Sequence, residues 1–248
     1  MKNFRHNQQG IAHIIILVLA LIVIGAVAGV GYEVMSKART SSNSTTSTTA
    51  VKTNTAIDSK CLATYHDNNL CRFSTNASAL NNSSYVASLT IESPSGETST
   101  IALKNDGKGN TELTTTGGGQ TFNTISLNGN SYIQTGGSST WTEYPAGVQS
   151  PTLQVNPSSK LDLATDTPNL TFKAIGKSAC GSLSCYKYQL TDSSTPDKTQ
   201  YILFDNHSYL LREWQASDST TGKVDMKMNY QAVNITAPSP VQVFKTTN

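Results

Sequence analysis

Chemically reactive side chains are scarce in this sequence. It contains four histidines, of which only His66 and His207 follow the first forty residues. It has no Gly-x-Ser-x-Gly elbow, no His-Glu-x-x-His motif and no Walker A phosphate loop. The sequence therefore predicts a protein that is not an enzyme and that uses no cofactor and no bound metal.

Charged residues are also few, and their signs nearly cancel. Asp, Glu, Lys and Arg make up 14% of the chain, and the net charge is +2. The first forty residues hold four basic side chains and one acidic side chain, which leaves 14 basic and 15 acidic residues in the rest. Binding to nucleic acid by counterion release needs a basic surface. The composition therefore predicts no nucleic acid partner and no patch for anionic lipid.

One long apolar run occupies residues 11–32, "IAHIIILVLALIVIGAVAGVGY", and it carries no charge. As a helix rising about 1.5 Å per residue, it would cross about 30 Å of hydrocarbon. A cleaved signal peptide usually has a shorter apolar region, although the small residues Ser36 and Ala38 could form a cleavage site. No cysteine suitable for acylation precedes Cys61. We predict that residues 11–32 are a transmembrane anchor and that residues 1–10 lie in the cytoplasm.

A second interpretation of the N-terminus is that of a pilin. The "QQG" that ends at Gly10 precedes the apolar run, and a type IV prepilin leader would be cut after this glycine. Pilins place a glutamate five residues after the cut, where this chain has Ile15. A pilin-like protein is therefore kept as a minor alternative.

Residues 33–56 contain the low-complexity stretch "TSSNSTTSTTAVKTNT", which is too polar to bury a core and is typical of a linker. Residues 57–248 are long enough for one domain with a sizeable core. They are rich in Ser, Thr, Asn and Gly and contain all four cysteines. We therefore predict a single-pass protein of the cell membrane whose C-terminal domain lies outside the cytoplasm.

The four cysteines form two local groups, Cys61 with Cys71 and Cys180 with Cys185. An even number of cysteines outside the cytoplasm indicates disulfides, and of the three possible connectivities we favour the two local ones. Zinc is the alternative, but the chain has no Cys-x-x-Cys spacing.

Residues flanking the cysteines indicate local structure. Asp58 and Asp67 are suited to cap two short helical turns around the first pair. Gly181 and Ser182 suit a turn between two strands at the second pair.

From Tyr85 onward the chain alternates β-branched or aromatic residues with polar ones, in short segments. Asn128-Gly129 and Asp106-Gly107 are strong hairpin signals. A weak helical register at Leu161 and Leu163 predicts one or two short helices that lie over the sheet. The order of elements predicts a mainly β, α+β fold, in which a curved antiparallel sheet or incomplete barrel has short helices as a lid.

The stretch "YILFDNHSYLLREWQ", residues 201–215, predicts a hairpin that is apolar on both faces. If Phe204 pairs with Tyr209, one face carries Ile202, Phe204, Tyr209 and Leu211, and the other carries Leu203 and Leu210. We expect the first set to face the interior and the second to be half exposed. The candidate residues for an apolar ligand cavity are therefore Ile202, Phe204, Tyr209 and Leu211, together with Leu161 and Leu163 from the helices.

Three segments, "FKAIGKSACGSLSCYKYQL", "TQYILFDNHSYLLREWQ" and "MNYQAVNITAPSP", resemble the end of the LolA-like lipoprotein carrier superfamily, especially its LppX/LprG branch. The segment that ends in Trp141 is similar as well. The matching residues are Gly176, Asp205, Leu211, Arg212, Tyr230, Asn234 and Pro238. The resemblance implies an incomplete barrel with a helical lid over a cavity for acyl chains, and a diffuse cavity lining in place of a few binding residues.

The sequence thus predicts a membrane-anchored extracytoplasmic domain that binds a hydrophobic ligand, either a lipid or a lipidated protein, as a carrier. The alternative is that the interior is an ordinary packed core. In that case the domain would be a non-catalytic structural, sensory or adhesive module of the cell surface.

Overall fold

The computed structural model describes residue 57 and residues 59–77, 83–146, 170–193, 198–219 and 222–244. These residues contain two helices, α1 (Ser59–Tyr65) and α2 (Asn68–Ala77), and twelve strands. The strands are β1 (Ser84–Glu92), β2 (Thr98–Asp106), β3 (Thr111–Gly117), β4 (Gln120–Leu127), β5 (Asn130–Gln134), β6 (Trp141–Tyr144), β7 (Leu170–Cys180), β8 (Leu183–Asp192), β9 (Thr199–Asp205), β10 (Leu211–Asp218), β11 (Gly222–Tyr230) and β12 (Val241–Val243).

Several expectations lie outside the described residues. They are the transmembrane run at residues 11–32, the helical cap at Asp58, and the helices expected at Leu161 and Leu163. Neither of the two helices in the described part of the chain is long and apolar enough to cross a membrane.

All twelve strands form one open, curved sheet in the order β12-β6-β5-β4-β3-β2-β1-β11-β10-β9-β8-β7. Neighbouring strands are antiparallel except β6 and β12, which are parallel. The strands form two meanders, β1 to β6 and β7 to β11, which join where β1 pairs with β11 from Tyr85↔Tyr230 to Glu92↔Lys223. The mainly β, antiparallel prediction is confirmed.

Short turns produce the meanders as the sequence predicts. Asn128 and Gly129 connect β4 to β5 with φ of 52° and 85°. Positive φ at both central residues is the requirement of the type I′ turn, whose twist matches that of paired strands. The carboxylate of Asp106 accepts hydrogen bonds from the backbone N–H of Lys108 (2.7 Å) and Asn110 (3.1 Å), which closes the turn between β2 and β3.

The two helices form a small corner that a disulfide holds together. Asp67 caps α2, because its Oδ1 accepts hydrogen bonds from the backbone N–H of Asn69 (2.9 Å) and Leu70 (3.0 Å). Cys61 of α1 and Cys71 of α2 are bonded, with their Cα atoms 5.5 Å apart, and both are fully buried. This bond is called the helical disulfide below.

A second bond, called the hairpin disulfide below, joins Cys180 to Cys185 with their Cα atoms 5.9 Å apart. It spans the two-residue turn Gly181-Ser182 between β7 and β8, where Gly181 has a φ of 64°. The cysteines are therefore joined in the two local pairs that the sequence favoured. Among the described residues, no group of three or more His, Cys, Asp or Glu side chains is placed to hold a metal ion.

The face of the sheet that packs against α2 is called the inner face here. Residues directly paired on neighbouring antiparallel strands share a face, so one row of paired residues follows the inner face across eight strands. This row consists of Tyr188, Ile202, Trp214, Met226, Leu89, Ile101, Thr115 and Phe122.

The opposite side, called the outer face, is partly covered by the chain itself. After β11, residues 231–240 leave the sheet and cross the outer face before β12 adds to its edge. Ile235 of this segment is buried and packs against Ile125 of β4 and Tyr132 of β5. The C-terminal third of the domain thus completes the core of its first meander.

Candidate functional site

Phe204 lies at the centre of the largest core, between the inner face and α2. Its side chain is 0% exposed. Its ring stacks on Phe73 of α2 with centroids 4.7 Å apart, and Tyr188 and Tyr186 of β8 lie 5.3 Å and 5.7 Å away. Aromatic rings in such contact stabilise the fold beyond the area that they bury, so α2 is held firmly on this part of the sheet.

Polar contacts at the edge of this core fix the helix further. The Tyr188 hydroxyl donates a hydrogen bond to Oδ2 of Asp67 (2.8 Å), the same carboxylate that caps α2. Burial, and then the neighbouring Asp67, raise the pKa of Tyr188, so that the phenol remains a donor. The Arg72 guanidinium of α2 lies 5.5 Å from the centre of the Tyr209 ring.

The structure brings four of the six predicted cavity residues together. Ile202, Phe204 and Leu211 belong to the buried core, and Tyr209 is half-buried against it. Leu161 and Leu163 lie outside the described residues. Leu70 and Phe73 of α2 fill the space above these strands, so the four residues form packed core at this position. Their part in ligand binding stays a prediction.

The register of the hairpin differs from the one that the sequence suggested. Phe204 pairs with Leu211, not with Tyr209, because the turn is longer than expected. Asp205 produces the longer turn, since its Oδ1 accepts hydrogen bonds from the backbone N–H of His207 (2.8 Å) and Ser208 (3.0 Å). Tyr209 consequently has a φ of 55°, and a bulge follows Leu211. The side-chain hydrogen bonds of Asp205 thus outweigh the preference for a tight turn.

The other side of the hairpin is also buried, which corrects a second expectation. Leu203 and Leu210 are 3% and 4% exposed, whereas we expected them to be half exposed. Leu203 is paired with Lys187 of β8 on one side and with Glu213 of β10 on the other. The long stems of such side chains can cover an apolar neighbour while their charged ends stay in water.

A buried ion pair stabilises the same turn. Nη2 of Arg212 lies 3.3 Å from Oδ2 of Asp205, and both side chains are largely buried. Burial alone would raise the pKa of Asp205, but the backbone N–H groups of Ser208 and His207 and the charge of Arg212 outweigh it and lower the pKa. The Arg212 guanidinium also lies 4.9 Å from the centre of the Tyr230 ring, and burial raises the pKa of Tyr230.

The inner face changes character along the first meander, from β3 to β6. This region is called the open half of the inner face here. Phe122 and Phe244 are 39% and 42% exposed, and the Phe244 ring stacks on Tyr144 with centroids 4.8 Å apart. The side chains between them are half-buried: Leu113, Thr124, Ile133 and Thr142.

The open half combines apolar surface with hydroxyl groups and has no acid or base among its named residues except the phenol of Tyr144. Such a surface suits an apolar or uncharged ligand. The sequence pointed instead to the hairpin at residues 201–215, where the apolar residues are more numerous. Phe122, an aromatic residue between the polar residues Thr121 and Asn123, was the signal that could have identified this region.

No protein-family model matches this chain, and no curated protein sequence matches it either. Several solved structures are similar to parts of this chain. The MucA/MucB complex of Pseudomonas aeruginosa is 14% identical with a TM-score of 0.42, over 67% of this chain and 57% of that chain. A LolA superfamily protein of Nitrosomonas europaea is 8% identical with a TM-score of 0.23, over 63% of this chain and 88% of that chain. An uncharacterized conserved protein of Thermus thermophilus is 8% identical with a TM-score of 0.39, over 69% of this chain and 96% of that chain.

A LolA superfamily protein thus occurs among the structures to which this chain is similar. The chain spans less than two thirds of the length of MucB, at 64% in one structure. At these identities and TM-scores the likeness assigns no function.

Proposed function

We propose that this chain is a single-pass membrane protein whose extracytoplasmic domain, residues 57–248, binds a hydrophobic ligand on the inner face of its sheet. The ligand is a lipid or the lipid moiety of a lipidated protein, which the domain carries. Residues 11–32 would be the anchor, and residues 33–56 the linker.

The observation that supports ligand binding is the difference between the two halves of the inner face. At β8 to β10, side chains from α2 fill the space above the sheet, and Phe204 is fully buried. In the open half, the large rings of Phe122 and Phe244 stay more than a third exposed. Each apolar Å² removed from water is worth about 25 cal/mol, so an acyl chain that covers these rings gains binding energy there.

The proposed location is supported by the covalent structure. All four cysteines are joined in disulfides, and disulfides persist in oxidising compartments outside the cytoplasm. A domain tethered to the bilayer in such a compartment has direct access to lipids and to lipidated proteins.

A second candidate function is that of a structural, sensory or adhesive surface module without a ligand. The packed core around Phe204 favours it, because α2 closes the part of the inner face that the sequence predicted as a cavity. The two candidates differ in one measurable property, which is lipid contact at the open half.

The test uses the full-length protein in membranes that contain a fatty acid with a photoactivatable diazirine. After illumination, peptide mapping should place the crosslinks in β3 to β6. Phe122→Asp should reduce crosslinking at least fivefold. Its matched control, Thr121→Asp, changes the adjacent residue on the outer face and should leave crosslinking within twofold of the unchanged protein. Crosslinks confined to residues 11–32 would favour the surface module.

A further inference from the structure

The outer face of the first meander carries a polar groove that the proposed lipid binding does not use. It consists of two clefts, of about 330 Å³ and about 360 Å³. Asn123 of β4 lines both of them, so the clefts meet at this residue. Their volumes lie within the range of small-molecule sites in proteins, roughly 300 to 1,000 Å³.

A ladder of hydrogen-bonded side chains forms the floor of the groove. Thr114 Oγ1 donates to Oδ1 of Asn123 (2.8 Å), and Nδ2 of Asn123 donates to Oε1 of Gln134 (2.9 Å). These three residues are paired across β3, β4 and β5 and therefore share the outer face. A side-chain amide has two N–H donors and an oxygen with two lone pairs. The ladder fixes both amides in orientation and uses only part of their hydrogen-bonding capacity.

The charge of the lining limits the kind of ligand. Among the residues that the structure describes, the cleft at Gln134 has no charged side chain in its lining. The described lining of the cleft at Trp141 contains one, Glu112, whose carboxylate is already paired with Nζ of Lys104 at 2.7 Å. Lys104 and Glu112 neutralise each other, so neither an anionic nor a cationic ligand would find an unpaired opposite charge at this ion pair. The groove therefore suits an uncharged ligand.

An aromatic residue and a fixed wall complete the groove at one end. Trp141 of β6 lines the cleft together with Thr236 and Pro238, which belong to the segment that crosses the outer face, residues 231–240. The wall is held in place because the Trp141 backbone N–H donates to the carbonyl oxygen of Pro240 (2.9 Å) and because Ile235 is buried beneath it. An indole presents a large apolar face and one N–H donor, and the fold fixes the position of the Trp141 backbone here.

We propose that this groove binds a neutral oligosaccharide. Sugar rings have hydroxyl groups at their edges, which match orientable amides and threonines, and patches of C–H on their faces, which match an indole. From Ile125 to Thr121 the groove follows β4 for about 13 Å, at about 3.3 Å per residue. That length accommodates a short oligosaccharide chain. The site is independent of the proposed lipid site, which lies on the opposite face.

The test uses the full-length protein in detergent and three uncharged probes: chitotetraose, cellotetraose and maltotetraose. The chain has two tryptophans, and Trp214 is 3% exposed whereas Trp141 is half-buried at the groove. Binding should therefore change tryptophan fluorescence and protect it from quenching by acrylamide. At least one probe should do so at millimolar concentration or below.

Two variants locate the binding. Asn123→Ala and Gln134→Ala should each weaken binding of that probe at least tenfold, whereas Thr124→Ala, next to Asn123 on the inner face, should leave it within twofold. Unchanged fluorescence with all three sugars at 10 mM would overturn the proposal. Equal sugar binding by the Asn123→Ala and Thr124→Ala variants would also overturn it. A protein that binds a neutral tetrapeptide of Ser, Gly and Asn but none of the three sugars would overturn it as well. Lipid crosslinking at the open half should be unaffected by either groove variant.

Discussion

Replacement of Phe204 by alanine measures how far the centre of the domain is a packed core. The ring is 0% exposed and contacts Phe73, Tyr188 and Tyr186 with centroids 4.7 to 5.7 Å apart. Removal of a buried phenylalanine ring typically costs about 3 to 5 kcal/mol, because the cavity that it leaves collapses only in part. We expect Phe204→Ala to reach the upper end of this range, since three aromatic contacts are lost together.

The assay is urea unfolding of the full-length protein in detergent, followed by the fluorescence of Trp214, which lies in the same core. With a slope of about 2 kcal/mol per molar urea, a loss of about 4 kcal/mol moves the midpoint by about 2 M. The control is Phe122→Ala on the same face of the sheet, where the ring is 39% exposed. The Phe122→Ala variant should lose less than about 1 kcal/mol of its free energy of unfolding.

A loss below about 1 kcal/mol for Phe204→Ala would refute the packed core. So would equal losses for the two variants. A large loss for Phe204→Ala combined with unchanged lipid crosslinking at β3 to β6 would show that the core and the proposed ligand surface are separate parts of the inner face.

Three further predictions concern the covalent and electrostatic features. Serine substitution of both cysteines of a disulfide should destabilise the domain, as measured by urea unfolding. The expected loss is about 3 kcal/mol for the helical disulfide and about 2 kcal/mol for the hairpin disulfide, which closes a shorter loop. No loss for either disulfide would contradict the argument that each bond stabilises the fold by restricting the unfolded chain. Asp205→Asn should lower stability by about 1 to 3 kcal/mol at pH 7. Because the folded state lowers the pKa of Asp205, its contribution is present above the unfolded-state pKa of about 3.9 and is lost as pH falls through the folded-state value. The difference from the unchanged protein should therefore shrink as the pH falls below about 3.9; a difference that grows in acid would refute it. Finally, the full chain should remain in the membrane fraction after an alkaline carbonate wash, and N-terminal sequencing of the mature protein should give an N-terminus that precedes Ile11. A mature N-terminus at Arg39 would show a cleaved signal peptide, and one at Ile11 would favour a pilin.

The sequence by itself determined the features that depend on a few neighbouring residues. Asn128-Gly129 predicts a hairpin because both residues tolerate positive φ. The alternation of side chains predicts antiparallel strands, since successive residues of a strand point to opposite faces. The spacing of the cysteines indicated the helical and the hairpin disulfides, because short loops close easily in the folded chain.

Only the tertiary structure decided which surfaces meet. Phe204 is covered by Phe73 from a helix near the start of the domain, and the outer face of the first meander is covered by Ile235 from near its end. The pairing of β1 with β11 likewise joins the two meanders across most of the domain. Contacts between such distant segments depend on the packing of whole elements, and the local pattern of an apolar strand is the same whether a helix, another segment or a ligand covers it.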